Sequence, residues 1–198
     1  MNGQINENRC VTTSTVGYMC LALVLWMIDM TAAGWFGRIY AQGVGLIPTM
    51  SILLAIIGIL SFQRGRTLDA IIFFGVAAWF WADYTAFVAL PPAMRAGEPS
   101  SYGGWYWILW AAFFGWVWAG SLKAGLWRQL FVLGLWVMFL ARALDGWTSL
   151  GFFNVIAGYV GLVTAVLAAL ISATEVIAHG QKAANPNDDR GAEHVRAA

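Results

Sequence analysis

The sequence predicts an all-α fold, a polytopic membrane protein with six transmembrane helices. Three observations predict it. Of 198 residues, 60% are hydrophobic and only 11% charged, whereas soluble domains carry about 25% charged residues. Several apolar runs approach or exceed the roughly 18 residues that suggest a membrane-crossing helix. Between those runs lie short stretches of Gly, Pro and charged residues, where helices end.

Taken in order, residues 1–15 are polar and read as a short N-terminal tail. Helix 1 covers about 16–36. Arg9, an apolar core and Thr31-Ala-Ala33 imitate a secretory signal, but the segment continues to Trp35 and Phe36, so it is expected to be a retained first span. Arg38 and Gly43 separate it from helix 2 (44–62), and Gln63-Arg-Gly-Arg66 separates helix 2 from helix 3 (68–90). The longest loop runs from Pro91-Pro92 to Gly103-Gly104, before helix 4 (103–122). Lys123 to Arg128 leads into helix 5 (128–147), and Asp145 to Ser149 into helix 6 (150–178). The bundle therefore spans 16–178, followed by a polar tail, 179–198, whose Asn185-Pro-Asn-Asp-Asp-Arg190 suits disorder.

Basic residues set the orientation. Arg9, Arg64, Arg66, Lys123, Arg128 and Lys182 fall on the N-terminal side, and only Arg38 and Arg95 in the opposite loops. Both termini are expected in the cytoplasm, with the chain multi-pass in the cell (inner) membrane. Trp35, Trp105, Tyr106, Trp127 and Trp147 lie near helix ends, where amphipathic rings favour the interface.

Other classes find little support. Net charge is +1 with no basic patch, so no nucleic-acid partner is expected. Cys10 and Cys20 make neither a disulfide framework nor a metal site. His179 and His194 lie at or beyond the end of helix 6, and no nucleophile–base pair stands out, so no enzyme, metal or cofactor is expected. Lys123 and Lys182 sit at helix ends, which argues against a mid-helix Schiff base.

Packing signals are also present. Ala157, Gly161, Ala165, Ala169 and Ala173 form a small-residue stripe on helix 6, and Ala111, Gly115 and Ala119 repeat it on helix 4. Such stripes let helix backbones approach, within one bundle or between subunits. Trp107, Trp110, Phe114 and Trp118 share a face of helix 4, with Trp136 and Phe139 on helix 5. That face reads as packing, with an aromatic-lined pocket as the alternative.

Gln63-Arg-Gly65-Arg-Thr67, Pro91-Pro92, Ser121-Leu122-Lys123 and Ala157-Gly158-Tyr159-Val160-Gly161-Leu162, followed by Glu175-Val176, together resemble the succinate–acetate permease (acetate uptake transporter) family. Gly34-Trp35-Phe36 suits the same likeness, which covers about residues 12–182. The resemblance implies a six-helix bundle with cytoplasmic termini, a homo-hexamer, and a pathway for small carboxylates, commonly moved with protons. It departs at Thr12-Thr-Ser-Thr-Val-Gly17, where the family has Asn-Pro-Ala-Pro-Leu-Gly. The family's constriction positions fall on Leu21, Val76 and Leu135, aliphatic where two are aromatic in the family, so a solute bulkier than acetate is expected.

Depth arithmetic adds a constellation that the resemblance does not carry. At 1.5 Å per residue, Asp29, Asp83 and Arg142 each lie about 20–22 Å from the cytoplasmic end, on helices running in one sense. Asp145 is one turn beyond Arg142 on the same face. Charges at such depth need partners. They form either a salt-bridge lock, favoured because two aspartates already neutralise the arginine, or an outer site in which Arg142 grips a substrate anion. In helix 6, Asn154 and Thr164 offer polar groups to a pathway, though Thr164 could bond its own backbone. Glu175 reads as a solvated carboxylate at the cytoplasmic end, with gating as the alternative. Asp69 is accounted for by the start of helix 3.

The function expected is a permease or channel for a small solute, a weak carboxylic acid or its anion, with proton coupling open. Its partners are that solute, the lipid bilayer and copies of itself. The alternative is a non-transporting sensory or ligand-binding membrane protein with an aromatic-lined pocket.

Overall fold

In hydrocarbon every backbone N–H and C=O must find its partner within the protein, which leaves helices as the natural state of these apolar runs. The computed structural model describes residues 2–36, 40–85 and 102–184, with side chains for 13–36, 45–85 and 102–178. Six α-helices occur among the described residues: α1 (Asn2–Ala32), α2 (Tyr40–Gln63), α3 (Thr67–Tyr84), α4 (Tyr102–Gly120), α5 (Leu126–Thr148) and α6 (Phe152–Ala184). A 3-10 turn, Ser121–Lys123, follows α4.

Four helices contain stretches long and apolar enough to cross a membrane: Thr13–Ala32, Gly45–Gln63, Leu126–Thr148 and Phe152–Ala178. α3 and α4 fall outside that set: α3 carries Asp69 and Asp83, and α4 carries five tryptophans, whose amphipathic indoles still suit a bilayer. The fold is that of an all-α, multi-pass membrane protein.

Helix ends differ from the expected ones. Residues 2–15, expected as a tail, continue α1 as helix, and α6 runs on past residue 178. Neither extension has apolar periodicity to announce it. The predicted part of helix 3 beyond Thr85, the Pro91-Pro92 loop, Arg38, Arg95 and the tail after Ala184 lie outside the described residues.

Each helix packs on its neighbour in sequence, and α6 closes the ring by packing on α1. The α1–α6 seam is the closest. Any Cβ at Gly158 would collide with the backbone of Ala32 and Ala33, and one at Gly161 would collide with the Asp29 carboxylate. Trp35 Nε1 donates to Tyr159 Oη at 3.3 Å, tying the end of α1 to the same segment. The helix 6 stripe is therefore in-protomer packing where Ala157, Gly161 and Ala165 are buried, while Ala173 is exposed. The aromatic stripe of α4 stacks on α5: Phe114 on Phe139 at 5.2 Å and Trp118 on Trp136 at 5.6 Å between centroids.

The inner face of the ring belongs mainly to α1, α3 and α5. Buried side chains recur at steps of three and four: Tyr18, Leu21 and Leu25; Phe73, Val76 and Phe80; Phe131, Leu135 and Phe139. That spacing keeps one helix face turned to a common axis. Many large apolar side chains on other faces are exposed, Leu109, Trp116 and Val163 among them, as a lipid-facing surface requires.

Candidate functional site: a buried apolar layer between two ionic clusters

Leu21, Val76 and Leu135 are all fully buried in one core cluster, one from each odd-numbered helix. They face the bundle and not lipid. One turn nearer the N-terminal end of α1, a ring layer lies against them. Tyr18 meets Phe73 at 5.2 Å and Phe131 at 5.6 Å, both edge-on. An aromatic layer thus stands one turn from the aliphatic one on α1.

At the outer end, Arg142 Nη2 donates to Asp29 Oδ1 at 2.6 Å. Asp29 is 0% exposed and Arg142 7%. The guanidinium lies over two indoles, 5.6 Å from the Trp79 ring centroid and 5.0 Å from that of Trp107. A desolvated contact of this kind contributes up to about 2 kcal/mol. Asp29 can enter the α1–α6 seam only because Gly161 has no side chain. Asp83 belongs to the same level but has a different partner: Tyr106 donates to its Oδ1 at 2.8 Å. No ion pair within 4 Å joins Asp83 or Asp145 to Arg142 among the described residues. Of Asp29, Asp83 and Asp145, only Asp29 is paired with the guanidinium among the described residues.

At the other end of α1, α3 and α5 lies a second cluster that sequence reasoning missed. Arg128 Nη2 reaches Glu175 Oε1 at 2.8 Å and Asp69 Oδ2 at 3.5 Å. Arg66 approaches the same two acids at 3.7 and 4.0 Å. Tyr18 donates to Asp69 Oδ1 at 2.8 Å. Thr15 donates to Glu175 Oε2 at 3.1 Å, and Ser14 to Oε1 at 3.4 Å. Arg64 also donates to Thr13. These contacts join α1, α3, α5 and α6 through Asp69, Glu175, Arg66 and Arg128. Glu175, expected to be solvated, is instead an ion-pair partner with its side chain 16% exposed. Asp69 does stand at the start of α3, yet it is buried and shared among three partners. The signal was available: depth arithmetic applied to the inner ends would have placed Asp69, Arg128 and Glu175 at one level.

The remaining predicted residues stand apart. Thr164 is buried, but its hydroxyl donates to Val160 O of its own helix at 2.8 Å, beside Gly134 of α5. Asn154 is half-buried near the start of α6.

No family model matches the chain, and no curated protein matches it either. Among solved structures, one described as the bacterial acetate channel SatP superposes with a TM-score of 0.72. The alignment covers 83% of this chain and 91% of that one, at 20% sequence identity. The two share a fold. At that identity the likeness extends to architecture, in agreement with the ring of helices described above. SatP is by its description a bacterial acetate channel.

Proposed function

We propose that this chain is a membrane permease or channel for a small weak carboxylic acid. The observation that carries the reading is the matched layering of α1, α3 and α5. Buried apolar side chains of these three helices belong to one core cluster, and an ionic cluster stands toward each end of it. Apolar constrictions gate by dewetting, and charges at their mouths attract or hold polar solutes. The shared fold with an acetate channel supports the same class of cargo. Under this reading the end with Arg66, Arg128 and Glu175 is cytoplasmic, both termini are cytoplasmic, and the chain assembles as a hexamer through its exposed apolar faces. Asp29 and Asp83 are the carboxylates placed to exchange a proton with the solute.

Reconstituted protein and labelled acetate, propionate and butyrate test it. Uptake above protein-free vesicles that Val76→Trp abolishes supports the pathway. Uptake no greater than that of protein-free vesicles for every acid overturns it.

A further inference from the structure

Four buried polar side-chain atoms at the outer level have no partner within hydrogen-bond geometry: Trp79 Nε1, Arg142 Nε, Asp29 Oδ2 and Asp145 Oδ1, although Trp79 also interacts with the Asp83 carboxylate one turn on. Elsewhere among the described residues, only Ser61 Oγ is in that position. An unmatched buried donor or acceptor costs about 1–3 kcal/mol. Native structures seldom concentrate such groups without a ligand or water to answer them. Two of the four are N–H donors and two are carboxylate acceptors.

That mixture discriminates among ligands. A carboxylate anion answers the donors, offers nothing to Asp29 Oδ2, and adds negative charge beside Asp29, Asp83 and Asp145. A cation answers the acceptors and meets Arg142. An anion gripping Arg142 would also sit against the carboxylate already paired with it: Nη2 is held by Asp29 at 2.6 Å, and the guanidinium lies over Trp79 and Trp107. A planar uncharged head group with a carbonyl beside an O–H or N–H matches both kinds of orphan.

We propose that the Asp29–Trp79–Arg142 level binds an uncharged C(=O)–XH head group, an undissociated carboxylic acid or a primary amide, in preference to a carboxylate anion. The carbonyl accepts from Arg142 Nε, and the O–H or N–H donates to Asp29 Oδ2. The ionisable groups around this level are Asp29 from α1, Asp83 from α3, Tyr106 from α4, and Arg142 and Asp145 from α5; α6 presents Gly161. The site deepens the transport reading and rests on it for its cargo, but binding can be measured without flux.

The full chain in detergent is titrated with propionamide, N,N-dimethylpropionamide and propionate, following tryptophan emission and heat. At about pH 8 propionate is essentially all anion. Propionamide is expected to bind saturably and about ten-fold or more tighter than either of the others, since dimethylation removes the donor and ionisation removes the proton. Asp29→Asn replaces an acceptor with a donor and is expected to shift preference toward propionate. Should that variant not fold, the three-ligand comparison on the wild-type chain still decides. Propionate binding as tightly as propionamide overturns the proposal, as does equal binding of the dimethyl amide, or no saturable signal by either readout. Vesicle uptake separates the sources and the two readings. Greater protein-dependent flux of propionic acid at about pH 5 than of propionamide assigns the site to the acid, and the reverse assigns it to the amide. Propionamide bound while neither compound moves upholds the site and overturns transport. Propionate carried with propionamide unbound overturns the site and leaves transport standing.

Discussion

Arg142 Nη2 donates to Asp29 Oδ1 across 2.6 Å from 113 residues away, and neither side chain is exposed. Removing one partner leaves the other charge buried without compensation, which costs about 3–5 kcal/mol. Replacing both with apolar side chains of similar size is near neutral or stabilising. Asp29→Leu and Arg142→Met should each lower the unfolding temperature in detergent, and the double variant Asp29→Leu/Arg142→Met should recover most of the loss. A double variant no more stable than the singles would show that the pair does not act as a unit.

Gly161→Ala puts a methyl group into the Asp29 carboxylate at the α1–α6 seam. Overpacking of this kind costs about 1–3 kcal/mol, so thermal unfolding should move down accordingly. Gly158→Ala should cost at least as much, since it meets backbone and not a side chain that can turn aside. Gly120→Ala, with open space around it, is the matched control and should leave stability unchanged.

Glu175→Gln removes one of two acids from the inner cluster while Thr15 and Ser14 can still bond the amide. With Arg128 held mainly by Asp69, stopped-flow uptake should rise a few-fold. Salt provides the control. The Arg128 and Glu175 side chains are 28% and 16% exposed, and the Debye length falls from about 10 Å at 0.1 M to about 3 Å at 1 M. Wild-type flux should therefore increase with salt, and the variant's should respond less. Equal salt response in both would remove the inner cluster from control of flux.

Tyr18→Phe deletes the hydroxyl that donates to buried Asp69 and keeps the ring against Phe73 and Phe131. A hydrogen bond to a charged group contributes about 1.5–3 kcal/mol. The variant should lose stability on that scale by denaturant unfolding while size selectivity among short-chain acids stays fixed. Tyr18→Ala should relax that selectivity, because it opens the ring layer. A Phe variant that alters selectivity would move the hydroxyl itself into the pathway.

Much of the ring was legible. Apolar runs and their breaks gave the six helices, and rise per residue brought Asp29 and Arg142 to one level before any contact was known. Leu21, Val76 and Leu135 were assigned to a constriction by family likeness, and the structure buries all three in one core cluster. Asp83 was harder. Its partner Tyr106 sits at the start of an antiparallel helix, where sequence alone makes a tyrosine an interface anchor. The inner cluster escaped because each member had a sufficient local explanation: a helix start for Asp69, a turn for Arg66 and Arg128, solvent for Glu175. Tyr18 reads as one more apolar residue, since only its oxygen is polar. Contacts among helix ends depend on how four segments converge, and a one-dimensional pattern does not encode that convergence.

The closing of the ring by α6 on α1 also sets an order of manufacture. A ribosome delivers Asp29 to the membrane with the first helix, more than a hundred residues before Arg142 exists. Gly161, whose missing side chain makes room for that acid, is made later still. Until then the first helix carries an acid with no native counter-charge and a seam with no matching surface. Its place in the bilayer becomes permanent only when the fifth and sixth helices arrive, so the last third of translation decides whether the first third is correctly housed.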